Sequence, residues 1–192
     1  LMLAAISLYR LPDFVMGPMV GPFYINVGIS PDAETTRAVI GSVRLFFGLP
    51  GTLLGIAAAA FFALRFGFGA TLLVGAVIGP ASNLGYALLA AQGYSAPLLA
   101  GVLMTENFCE GFAGAALVAY MSSLTSLGYV AAQYALLTSF YALLGKVLKG
   151  FSGQIVDTLQ ETRPLLDAFA LFFIGTALVG VPAVVLCYFL NR

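Results

Sequence analysis

The sequence has no histidine and no tryptophan, only two cysteines, and only 8% charged residues among 192. Each shortage excludes something. A soluble domain carries about 25% charge, because it must cover itself with groups that water solvates. A chain that is 61% hydrophobic cannot do so, and reads as an integral membrane protein. Without histidine there is no His-Glu-x-x-His zinc site and no usual base for a serine nucleophile. Cys109 and Cys187 both lie in apolar runs and read as small buried hydrophobes, not as a disulfide or metal site. Eight basic residues balance eight acidic ones, so there is no basic stripe for a nucleic-acid partner. Alternation is missing too: the apolar runs are continuous, which excludes a transmembrane barrel. Leu1 stands inside an apolar run with no charged leader and no cleavage site, so the start reads as the middle of a membrane helix and not as a signal peptide.

What is present is a set of six apolar runs, about 1–25, 38–64, 70–91, 96–121, 129–157 and 165–190. Each is long enough for the roughly 20 residues that cross a bilayer core. The fold class expected is an all-α polytopic membrane protein with six transmembrane helices. Before the second run, Ser30 is placed to N-cap, with Pro31 at the first helical position and Asp32 and Glu34 at the positive helix end. Gly17/Gly21, Gly51/Gly55 and Gly75/Gly79 have the spacing that lets backbones approach. Pro12, Pro18, Pro22, Pro50, Pro80 and Pro182 fall inside runs, where each frees a carbonyl.

Away from their ends, the apolar runs hold seven charges: Arg10, Asp13, Arg44, Glu106, Glu110, Lys146 and Lys149. A charge near the bilayer centre costs about 3 kcal/mol on insertion scales, so these residues face one another or a water-filled cavity. The first run has Arg10 and Asp13, and the fourth has Glu106 and Glu110; the second has Arg44, and the fifth has Lys146 and Lys149. The third and sixth have none away from their ends. Two triplets result, about 1–92 and about 95–192, as in transporters built from two inverted three-helix repeats, with the third and sixth helices as lipid-facing supports. Arg10 and Asp13, three apart, can pair on one face. Arg44 and Lys149 can equally snorkel to headgroups, whereas Lys146, being deeper, points to a cavity. Glu106 and Glu110 stand about 40° apart around a helix and share a face: either an ion pair to another helix or a site that takes and releases a proton. Asn83, Gln92, Asn107 and Gln133 can hydrogen-bond across helices, and Tyr9, Phe14, Phe108 and Tyr141 flank the charged positions. The charge bias between loops is a tie, so it assigns no orientation.

Three function classes follow. A secondary transporter would use a proton on Asp13, Glu106 or Glu110, with Arg44, Lys146 and Lys149 drawing an anionic or carboxylate-bearing solute. An intramembrane enzyme lacks its reactive residues. A non-transporting structural or regulatory subunit would pair all seven charges for assembly.

The stretches "LYRLPDFVMG", "SPDAETTRAVIG", "TENFCEGFAGAALVAYMSSL" and "AAQYALLTSFYALLGKVLKGFSG" resemble the C-terminal six-helix half of a major facilitator superfamily transporter. Within it the muropeptide permease (AmpG-type) branch is nearest, with the acetyl-CoA transporter family as a relative. The resemblance implies a proton-coupled, alternating-access permease of the bacterial inner membrane. Its solute would be muropeptide-like, its coupling ion a proton with no other cofactor, and its partners the bilayer and an N-terminal six-helix half. It implies Arg10, Asp13, Glu106, Glu110 and Lys146 as cavity positions, and chain ends towards the cytoplasm; the pattern of charged and polar residues adds Arg44, Asn107 and Lys149 to the candidate substrate and proton cavity, with no metal. The loop "RFGFG" lacks the aspartate of the superfamily's charged gating motif.

Overall fold

The computed structural model describes residues 2–124 and 130–191, without the side chains of residues 2, 3, 130–134, 137, 140, 141 and 144. Gln133 and Tyr141 therefore lie outside the described residues. All secondary structure among the described residues is helical: α1 (Met2–Tyr9), α2 (Leu11–Asn26), α3 (Ala33–Val43), a π-helical turn (Arg44–Gly48), α4 (Leu49–Phe66), α5 (Phe68–Gln92), α6 (Ala96–Leu124), α7 (Val130–Lys149), α8 (Ser152–Gln160), α9 (Leu165–Val179) and α10 (Val181–Leu190). Three of the resulting rods, Ala33–Phe66, Phe68–Gln92 and Leu165–Leu190, are long and apolar enough to cross a membrane.

The breaks have local causes. Arg10 separates α1 from α2, with Pro12 in the first turn of α2. The π turn ends where the amide of Leu49 donates to the Arg44 carbonyl five residues back. Pro50 has no N–H to offer the Phe46 carbonyl, its ordinary partner four residues back, and the wider turn accommodates that loss. Gly67 joins α4 to α5 alone, at φ +85°, a backbone that glycine adopts without strain. The fifth run does not form one helix to 157: it breaks at Gly150, between α7 and α8. The last run breaks at Gly180, against which the Pro80 ring of α5 packs.

The start of α3 departs from expectation. Asp32, not Ser30, is the N-cap, in an extended conformation, and α3 begins at Ala33. Its carboxylate accepts from both the amide and the hydroxyl of Thr35, each at 2.8 Å. Ser30 Oγ instead accepts from the Asp32 amide at 3.2 Å, which makes it part of the preceding turn. Those bonds, the Thr35 amide foremost, hold the Asp32 carboxyl below its ordinary value.

The bundle is organised around α6, which packs on α4 and α5, while α5 packs in turn on α9. Close approach between α4 and α6 needs glycine on both sides. A Cβ at Gly51 would sit 2.7 Å from the Met104 carbonyl, one at Gly55 would meet the Phe108 carbonyl, and one at Gly111 would sit 2.5 Å from the Thr52 carbonyl. Gly75 likewise lies under the Tyr9 hydroxyl and Ala113. Gly17 and Gly21 differ: nothing stands within 4 Å of a Cβ on either, because both open onto cavities. An aromatic core joins α2, α5 and α9, with Phe23 at its centre against Tyr24, Tyr86, Phe169 and Phe173. Beside it, Asn83 donates to the Thr176 hydroxyl at 3.1 Å, fixing α5 to α9.

Candidate functional site

Three helices bring their polar residues to one place. On α2, Asp13, Met16, Gly17 and Val20 share a face at spacings of three, four and seven; on α5, Gly79, Ser82 and Asn83 do so; on α6, Glu106 and Glu110 do so. With Arg44 from the π turn, these residues line a cavity of about 180 Å³. Three carboxylates and one guanidinium thus look into a space large enough for several water molecules.

Arg10 sits at its edge and ties two helices together. Its guanidinium lies 2.9 Å from Asp13 and 3.3 Å from Glu110. The pairing of Arg10 with Asp13 at i, i+3 is as the spacing implies. The second contact, across to α6, answers what balances Glu110. Glu106 is held differently: Asn107 donates to its Oε2 at 2.8 Å and to the Leu103 carbonyl at 2.8 Å. Asn107 Oδ1 accepts from the Thr52 hydroxyl of α4 at 3.4 Å. Asn107 does not line the cavity; it faces Gly48 and Thr52 and fixes its neighbour Glu106.

Arg44 lies with its guanidinium 5.8 Å from the centre of the Tyr24 ring, a cation–π arrangement. The Tyr24 hydroxyl is hydrogen-bonded to that of Tyr86 at 3.0 Å. Arg44 also lines a second cavity, of about 480 Å³, between α2 and α3, together with Tyr24, Thr36 and Arg37.

The sequence-derived candidates divide accordingly. Asp13, Arg44, Glu106 and Glu110 line the first cavity, with Arg10 and Asn107 bound to them. Lys146 and Lys149 stand in the last turn of α7, exposed, and line neither cavity. The break at Gly150 puts both within a turn of a helix end, where a cation complements the helix dipole. Tyr9 is buried and donates to the Ala113 carbonyl at 3.2 Å, and the Phe14 ring lies on Gly145; both are packing contacts. The helix expected to be a plain support, α5, lines the cavity through Gly79, Ser82 and Asn83. It carries no charge, so charge sorting passed over it. The signal that identifies it is the stripe Gly79, Ser82, Asn83, Tyr86 at helical spacing.

Known proteins agree with the motifs. Over 190 residues the chain is 27% identical to the "Putative transporter AmpG 4" of Rickettsia felis, covering 99% of this chain and 42% of that protein. Over 187 residues it is 28% identical to the anhydromuropeptide permease of Escherichia coli K12, covering 97% of this chain and 36% of that protein. The chain therefore spans about two-fifths of the length of the curated relatives it matches. No family model matches the chain, and no solved structure does. Its relatives are AmpG-type transporters and permeases, as its motifs imply, and with its apolar helices it is an integral membrane protein.

Proposed function

We propose that this chain is one half of a multi-pass secondary transporter of the major facilitator type, in the bacterial inner membrane. Its helices would form six spans in two inverted repeats, opposite a second six-helix half that supplies the other wall of the solute path. The solute is a small anionic or carboxylate-bearing molecule, muropeptide-like by analogy with the relatives, and transport is coupled to protons through alternating access. The observation that carries this reading is the convergence of Asp13, Glu106, Glu110 and Arg44 on one cavity inside a bundle of apolar helices. Carboxylates kept at membrane depth are costly and are suited to carrying a proton across; an arginine beside them suits an anionic solute.

In this mechanism Arg10 bridges Asp13 and Glu110, so a proton arriving on either releases one arm of the bridge between α2 and α6. Glu106, oriented by Asn107, lines the same cavity as Arg44. Protonating Glu106 removes a negative charge that would repel the solute's carboxylate from Arg44, which makes proton and anion arrive together. The test is uptake by the full-length protein in vesicles under an imposed proton gradient. Glu106→Gln and Asp13→Asn should each abolish accumulation against a gradient while leaving exchange of solute across the membrane measurable. Normal coupling in both variants would defeat the assignment.

A further inference from the structure

The second cavity has a composition that the first does not. Its about 480 Å³ is lined by Gly21, Pro22, Tyr24 and Ile25 of α2 and by Thr36, Arg37, Ile40, Gly41 and Arg44 of the α3 rod. That volume is in the range of small-molecule sites. Two of the lining residues are arginines and none is a carboxylate. The acids nearest in sequence are Glu34, in the first turn of α3, and Asp32, engaged as its N-cap with Thr35; neither lines the cavity. Arg37 and Arg44 are seven residues apart, which on a helix puts them on one face and about 10 Å apart along the axis. A single carboxylate cannot span that distance. The gap between the arginines is floored by Ile40 and Gly41, and roofed by Gly21 and Pro22, so an apolar or neutral spacer fits between the two charged ends. Glycine at positions 21 and 41 leaves both walls open: no atom stands within 4 Å of a Cβ placed on either.

We infer that this cavity is a second binding site, for an elongated dianion whose two acidic groups are taken separately by Arg37 and Arg44. Arg44 borders both cavities, so an anion held at this site already touches the wall of the carboxylate-lined one. The cavity also offers Tyr24, whose ring centre lies 5.8 Å from the Arg44 guanidinium. A guanidinium on a ring face keeps its edge N–H groups free for bidentate recognition of a carboxylate. The inference deepens the proposed transport reading by naming the chemistry of a site on the solute's path, but binding at this cavity does not require transport to occur.

The experiment is equilibrium binding to the full-length protein in phosphatidylcholine vesicles, with straight-chain dicarboxylates as probes. Suberate, whose carboxylates stand about as far apart as the two arginines, should bind at least tenfold more tightly than succinate or the monocarboxylate octanoate. Arg37→Gln should remove the preference for suberate over octanoate, and Arg44→Gln should lower suberate affinity about tenfold. Arg65→Gln, at the far end of the same rod, should change neither. Both arginines are exposed, and Arg37, which does not border the first cavity, carries the test alone. Equal affinity for all chain lengths, or unchanged suberate binding in Arg37→Gln, would overturn the inference. So would displacement of suberate by phosphatidylglycerol added to the vesicles, since the site would then hold a lipid headgroup. Suberate binding that persists in a protein without proton-coupled uptake would sink the transport reading and leave this site standing.

Discussion

Arg10 is the residue on which the charge balance of the site turns. It is the one cation within reach of both Asp13 and Glu110 among the described residues, and it stands at the break between α1 and α2, where helical spacing alone does not fix its direction. Arg10→Gln leaves two carboxylates facing each other across α2 and α6 with nothing between them. In a medium of low dielectric that is costly, although the half-exposed Glu110 moderates it. The expected loss is about 1–3 kcal/mol, read as a lower thermal midpoint in detergent. Adding Glu110→Gln to the same chain should recover part of that loss; a purely additive double variant would mean that the bridge contributes nothing. The Arg10–Asp13 half of this cluster was legible from three-residue spacing. The Arg10–Glu110 half was not, because it depends on the register between two helices a hundred residues apart. Lys146 lines neither cavity: the break at Gly150 ends α7 within a turn of it and leaves it exposed.

At the scale of elements, two junctions control where the site residues stand. The first is the contact of α4 with α6, which holds Glu106 and Asn107 opposite Thr52. Gly51 and Gly55 face carbonyls of α6 so closely that no side chain fits. Gly55→Val should therefore force the helices apart, at a cost of about 1–3 kcal/mol or more, and loosen the Thr52–Asn107 contact. Gly21→Ala is the control, since its Cβ meets open space inside a helix, and it should hold or raise the thermal midpoint. The second junction is the start of α3, which carries Arg37. Asp32→Ala should raise amide exchange at Thr35 and Thr36 without affecting Leu99 in the bundle core. The pH dependence has a definite sign. The Asp32 carboxyl is held below its ordinary value of 3.8, so the cap is present at neutral pH and is lost only as pH falls through that lowered value. Protection at Thr35 should persist at pH 5 and fail in stronger acid. The small-residue spacing of Gly51 and Gly55 announced the first junction correctly. The same spacing at Gly17 and Gly21 marked cavity walls instead, and only packing distinguishes the two uses.

For the whole molecule, the question is whether the first cavity is a fixed polar core or one wall of a path that opens to each side in turn. The all-helical class and the apolar helices were legible from composition, because no soluble surface can be made from so few charges. The meeting of α2, α5 and α6 was only half legible, since α5 contributes uncharged residues. Ser82 gives a probe for the remaining question. It lines the cavity with Asp13 and Glu110, donates only to the Gly79 carbonyl of its own helix among the described contacts, and is small enough for cysteine to replace it. With the buried Cys109 and Cys187 changed to alanine, Ser82→Cys should react with a membrane-impermeant maleimide added to one face of inside-out or right-side-out vesicles. An alternating-access half predicts that solute or a proton gradient moves the reactivity from one face to the other by severalfold. A static subunit, whose charges are paired only for assembly, predicts one fixed face and a rate that neither solute nor pH alters. Glu106→Gln sharpens the contrast. It removes one of the three carboxylates that line the cavity, so an alternating protein should show a weaker pH response of Ser82→Cys labelling while keeping the response to solute, whereas in a static one the same substitution leaves labelling as it was.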